Sequence, residues 1–94
     1  MPQVLVKMKV KDFAKWKPVF DTGKEIRQGR GSKGGRVYRS TADPNQVVIL
    51  FDWDTADKAS QFFKSDILKQ RLQQGGVMGG LDLTILEEVE KTEA

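Results

Sequence analysis

The sequence predicts a single α+β domain with the element order β-α-β-β-α-β and a four-stranded antiparallel sheet. Three observations carry that expectation. Gln3–Val10 and Leu81–Val89 alternate side chains with a period of two, as strands do. Gln46–Trp53 is apolar on both faces, which places it in the middle of a sheet covered on both sides. After the first and third strands, apolar residues recur at three- and four-residue spacing, the signature of helices with one buried face.

In the first strand Val4, Val6, Met8 and Val10 share one face, and Leu5, Lys7 and Lys9 the other. Asp12 follows as an N-cap. Phe13, Trp16, Phe20 and Gly23 then fall on one helical face, widened by Val19 and Ile26. One helix is expected from about Phe13 to Gln28, with Pro18 marking a kink or a short first turn. Gly29, Gly31, Gly34 and Gly35, with Ser32 and Lys33, are expected to end it and form the connection. The second strand runs from about Arg36 to Thr41, and its polarity marks a sheet edge. Ala42–Asn45 is a turn, because Pro44 fixes φ and Asn45 tolerates left-handed geometry.

In the third strand Val47, Ile49, Phe51 and Trp53 face one side, Val48 and Leu50 the other. Asp54 or Thr55 caps the next helix, whose inner face is Ala56, Ala59, Phe62 and Phe63. Ile67, Leu68 and Leu72 restart the stripe at a different angle, so a break with Ser65 as a fresh N-cap is expected. Gly75–Gly80 reads as a glycine-rich loop and Leu81–Val89 as the fourth strand. The domain is placed at 1–90, with 91–94 as a frayed acidic tail.

A right-handed crossover is expected to join the first strand to the third, with the second strand paired by its hairpin. A second crossover brings the fourth strand beside the first. The result is the ferredoxin-like sheet order 4-1-3-2, with both helices on one face. The other face then carries Leu5, Val48, Leu50 and Leu86, with Lys7, Asp52, Tyr38 and Thr84 around them. Its apolar part, on the order of several hundred Å², exceeds what monomers usually leave in water. A two-fold homodimer through Leu5, Lys7, Val48, Leu50, Asp52 and Leu86 is the expected cover.

The composition excludes much chemistry. The chain has no cysteine and no histidine. Disulfides, thiolate nucleophiles, zinc–thiolate sites and cysteine-held clusters are gone with the first. The commonest general base and transition-metal ligand is gone with the second. No metal or nucleotide motif is present, and no cofactor is expected. No apolar run approaches the roughly 20 residues of a membrane span, and Met1-Pro2-Gln3-Val4 leads straight into a strand without a signal-peptide plan. A cytoplasmic protein that does not engage membranes is expected.

Charge is unevenly placed. Residues 1–41 hold eleven Lys/Arg against three Asp/Glu, and residues 42–94 hold five against ten. A nucleic-acid surface is not expected, because the acidic half lies within the same small domain. Lys24, Arg27, Arg30, Lys33, Arg36 and Arg39 gather around the first helix's end and the second strand, where they make a loose anion site an alternative reading. The glycines among them lack the Gly-x-x-x-x-Gly-Lys-Ser/Thr order of a phosphate loop and follow a helix, where that motif follows a strand.

Three segments resemble the dimeric α/β-barrel superfamily over nearly the whole chain. They are Val10-Lys-Asp-Phe-Ala-Lys-Trp-Lys-Pro-Val-Phe20, Asn45-Gln-Val-Val-Ile-Leu-Phe-Asp-Trp-Asp54, and Ser65-Asp-Ile-Leu68 with the later Gly75-Gly-Val77. The sequence is most similar to the small, mostly uncharacterised bacterial proteins related to the antibiotic-biosynthesis monooxygenases. That resemblance implies two sheets closing into a barrel and a pocket between each sheet and its helices. Some relatives oxidise aromatic polyketides without a cofactor; others degrade haem, isomerise small lactones, decompose chlorite or bind effectors. The haem-degrading members use a histidine ligand and a pocket asparagine. Here histidine is absent, and the only asparagine, Asn45, lies in a turn.

The aromatic set Trp16, Phe20, Tyr38, Phe51, Trp53 and Phe62, together with Phe63, is the candidate lining of that pocket. Plain core packing is the simpler reading of these aromatics. The functional reading is a pocket for a small apolar or aromatic ligand, with Arg39, Tyr38 or Asp52 supplying polarity. The enzymatic alternative is a cofactor-independent monooxygenase acting on an aromatic or quinol substrate. A packed interior opposes it; a cavity of about 300 Å³ or more with an inward polar group supports it. Lys7 and Asp52, on neighbouring strands, read as an ion pair that sets register or partner choice.

Overall fold

In the computed structural model, which describes residues 1–94, the first alternating segment forms β1 (Gln3–Val10). Asp12 is the N-cap of α1 (Phe13–Asp21): its carboxylate accepts from the Ala14 N–H at 2.9 Å. The single helix expected over 13–28 is instead two. Pro18 lies inside α1, and the helix closes with Thr22 N–H donating to Pro18 O. After Gly23 the chain restarts as α2 (Lys24–Gly29).

Next comes β2 (Ser32–Arg39), which begins four residues before the expected Arg36. Gly34 and Gly35 are therefore strand residues, not a connection. Alternation could not reveal this, because glycine has no side chain to alternate. Gly35 lies opposite Phe51 of β3 (Gln46–Trp53), where a Cβ would sit 2.5 Å from the Leu50 carbonyl oxygen. The turn before β3 forms as expected, and Asn45 also serves α1: its side-chain oxygen accepts from the Phe13 N–H at 3.1 Å.

Thr55, not Asp54, caps α3 (Ala56–Phe63), accepting from Lys58 N–H; Asp54 pairs with the Lys58 ammonium at 2.6 Å. The break at Ser65 is present, and its hydroxyl accepts from Leu68 N–H to cap α4 (Asp66–Gln74). The last strand, β4 (Val77–Leu86), starts earlier and ends earlier than expected. Gly79 and Gly80 are inside it, at positive φ. Register there slips from Lys7 opposite Asp82 to Lys9 opposite Met78, a bulge in β4.

All pairings are antiparallel, in the order β2-β3-β1-β4, which is 4-1-3-2 read from the other edge. The first crossover differs from the expectation. It carries the chain from β1 to the edge strand β2, and β3 then returns between them by the hairpin. The helices lie on one side of the sheet. There, Val4, Val6, Met8, Val10, Val47, Ile49, Phe51 and Trp53 form the core with Trp16, Ala59 and Phe62. Trp53 is wholly buried, stacked on Phe62, with its indole N–H donating to Arg30 O at 3.0 Å.

Leu5, Val48, Leu50 and Leu86 share the second face, each half-buried, with Tyr38 exposed beside them. The expected Lys7–Asp52 pair does not form. Lys7 stands opposite Val48 and Asp82, whereas Asp52 stands opposite Gln3 and accepts from its amide at 3.3 Å. Four residues of offset along the strands separate the charges. No helix is long and apolar enough to cross a membrane.

Candidate ligand site between the helices and the sheet

The amphipathic helices do not close fully on the sheet. Between them lies a cavity of about 60 Å³. Its floor is Val6 and Met8 of β1 with Ile49 and Phe51 of β3, and its roof comes from all four helices. Every lining side chain is apolar except those of Arg27 and Arg71; glycine contributes one position, Gly23. The lining thus contains no carboxylate, hydroxyl or amide side chain.

Of the aromatic residues expected there, Trp16, Phe20, Phe51 and Phe62 line the cavity together with Phe63. Trp16 and Phe20 stack at 4.9 Å between ring centroids, and Phe20 reaches Phe51 at 6.3 Å. Trp53 stands behind this wall, edge-on to Phe51 at 5.6 Å. Tyr38 is on the opposite face of the sheet, since its register partner is Val48. Asp52 is on that face too, and Arg39 lies over the Phe13 ring at 4.6 Å. None of the three residues expected to supply polarity reaches the cavity.

Arg27 and Arg71 supply it instead. The last carbonyls of α1 keep a spare lone pair: Phe20 O takes the Gly23 N–H at 3.1 Å and Val19 O the Thr22 hydroxyl at 2.8 Å. The Arg27 guanidinium donates to Phe20 O at 2.7 Å, and Arg71 donates to Val19 O at 2.6 Å and to the Thr22 hydroxyl at 2.7 Å. Both guanidiniums converge on Gly23. A Cβ there would lie 2.9 Å from Arg27 Nη1 and 3.0 Å from Arg71 Nε, so glycine is what admits them. No carboxylate forms an ion pair with either. Burial, then the neighbouring Arg71 charge, lowers the Arg27 pKa, and Asp21 acts in the opposite direction.

Arg27 belongs to the basic cluster at the end of the first helix; Arg71 stands outside it. The missed signal was spacing. Arg27 follows Gly23 by four residues on the Phe13–Trp16–Phe20–Gly23 stripe, and Arg71 follows Leu68 by three. A charge on an apolar stripe belongs at the rim of a buried surface, with its stem covered and its head free.

Outside Phe20 lies an open groove of about 560 Å³, bounded by α2 and β2. Phe20, Arg27, Ile49 and Phe51 belong to both spaces. Lys24, Lys33, Ser32 and the bare backbone of Gly34–Gly35 form the groove's outer wall. Phe20, with the Arg27 guanidinium 3.9 Å above its ring, is the partition between them. No group of three or more His, Cys, Asp or Glu side chains is placed to hold a metal.

No family model matches the sequence, and no curated protein matches it. Solved structures do match. A candidate antibiotic biosynthesis monooxygenase from Bordetella bronchiseptica superposes with a TM-score of 0.78 at 17% identity, over 95% of this chain and 97% of that one. SnoaB, a cofactor-independent oxygenase from Streptomyces nogalater, gives 0.77 at 10% identity, over 99% and 97%. Rv0793 from Mycobacterium tuberculosis gives 0.67 at 11% identity, over 99% and 100%. Identities this low speak to architecture alone. The chain shares the ferredoxin-like fold of these three proteins over 95–99% of its length.

Proposed function

We propose that the chain binds a small planar apolar molecule between its helices and its sheet, as one half of a homodimer. The observation that carries the binding reading is the cavity itself: an apolar lining with two arginines at its rim and a groove outside. At about 60 Å³ the inner space is smaller than the roughly 150 Å³ known to take benzene. A ring therefore enters by displacing Phe20 and occupying cavity and groove together. Titration calorimetry with 2-naphthamide, a neutral planar probe, tests this. Saturable binding that Phe20→Trp weakens supports the reading, and no heat of binding opposes it.

The homodimer rests on the second sheet face. Leu5, Val48, Leu50 and Leu86 lie there with no element of their own chain above them. Charges of both signs, Lys7 and Arg36 against Asp52 and Asp82, allow the face to complement itself across a two-fold axis. Burial contributes roughly 25 cal/mol per Å² before association costs.

A second reading is a cofactor-independent oxygenase, favoured by the likeness to SnoaB. The cavity speaks against it in two respects: its volume, about 60 Å³, falls well short of the roughly 300 Å³ expected of a substrate site, and it offers no base. Such chemistry needs a proton acceptor, and arginine, protonated at any physiological pH, is the only titratable side chain in the lining. Oxygen uptake with a panel of quinols separates the two: turnover supports the enzyme, and binding without turnover supports the receptor.

A further inference from the structure

We infer that the ligand carries a negative charge, a carboxylate or an ionised enol, held between Arg27 and Arg71 while its planar body lies against Phe20 and Phe51. The inference rests on the binding reading above and adds the ligand's chemical class. Two guanidiniums meeting over Gly23 repel each other, and a protein interior weakens the screening that water gives. No carboxylate forms an ion pair with either, and Asp21, itself paired with Lys17, offsets the repulsion at Arg27 only in part.

Capping α1 explains only part of the arrangement. It uses Nη1 of Arg27 and Nη2 of Arg71, and the remaining guanidinium nitrogens, Nε and Nη2 of Arg27 with Nε and Nη1 of Arg71, make no hydrogen bond within the chain. The free donors of a planar fork match a carboxylate or enolate oxygen pair. Lys24 and Lys33 on the groove wall add positive potential along the path inward. No acidic side chain lines the cavity or the groove to compete for the site. The chemistry that fits is a small aromatic or enolic acid; a neutral hydrocarbon leaves both charges unanswered.

The test compares two probes of one shape, 2-naphthoate and 2-naphthamide, by titration calorimetry on the intact protein at low and high salt. The naphthoate is expected to bind at least about tenfold tighter at low salt, the gain of charge-assisted hydrogen bonding, with the preference narrowing as salt rises. Arg71→Gln and, separately, Arg27→Gln should each narrow the preference, weakening the naphthoate by more than the amide. Equal affinity for the two probes overturns the anion inference and leaves the cavity reading standing. Binding of neither overturns both. The wild-type comparison decides the matter even where an arginine variant folds poorly.

Discussion

Substituting Gly35 with alanine places one methyl group where the β2–β3 seam leaves no room. Its carbon would stand 2.5 Å from the Leu50 carbonyl oxygen, 2.9 Å from Phe51 Cα and 3.0 Å from Phe51 Cδ1, whereas ordinary contact begins near 3.4 Å. Two of those atoms are backbone in a central strand, so relief requires β2 to move off β3. Overpacking of this kind costs about 1–3 kcal/mol. Because the first contact is with a carbonyl, the upper half of that range applies, less the roughly 0.5–1 kcal/mol that alanine recovers in chain entropy. At about 4–8 °C per kcal/mol for a domain of this size, the melting temperature should fall by about 10 °C. Gly29→Ala is the control with opposite sign. It ends α2, nothing lies within 4 Å of its would-be Cβ, and its φ is ordinary, so helix propensity should raise stability by up to about 1 kcal/mol. Thermal melts by circular dichroism report both. Equal shifts in the two variants, or a Gly35→Ala protein as stable as its parent, would refute the steric argument.

Further outcomes follow from the same packing. Trp53→Phe removes the indole donor to Arg30 O and part of the largest fully buried side chain, and should cost about 2–3 kcal/mol in urea unfolding at unchanged m-value. Leu50→Glu puts a charge at the centre of the second sheet face. Light scattering should then read the 10.6 kDa chain mass where the parent reads twice that; a monomeric parent would contradict the dimer. Asp43 is held below its ordinary 3.8 by the Asn45 N–H and by Lys9, and Asp54 by Lys58. Both are depressed in the folded state, so their support is complete above the unfolded carboxylate range and is lost as pH falls through the folded values. Melting temperature should therefore drop below about pH 4, and Asp43→Asn should flatten that drop. An unchanged acid slope in the variant would remove Asp43 from the account.

Sheet order, helical side and the caps at Asp12 and Ser65 were legible because each is written in side-chain type and spacing. What eluded the sequence lay where side chains are missing or serve two ends. Gly34–Gly35 and Gly79–Gly80 look like loops by composition, yet each pair lies inside a strand, beside a shift of register. The break at Thr22–Gly23 was hidden because the apolar stripe continues through it from Phe20 to Ile26. What makes room there is tertiary: two arginines from sequence-distant helices meet over Gly23. The aromatic wall of the cavity was readable from Trp16, Phe20, Phe51 and Phe62. Its polar rim was not, because Arg71 looks like any solvated helix charge until α4 is laid against the end of α1. Tyr38 has the chemistry of a pocket residue, but its alternation with Val37 places it on the other face.

The most direct measurement is a methyl-resolved NMR titration of the protein with 2-naphthoate. Shifts should concentrate on methyl groups of Val6, Met8, Ile49 and Leu68, which line the cavity, and leave Leu5, Val48 and Leu50 on the far side of the sheet unmoved. Shifts confined to those far-side leucines and valine, or spread evenly over the surface, would contradict a ligand site beneath the helices.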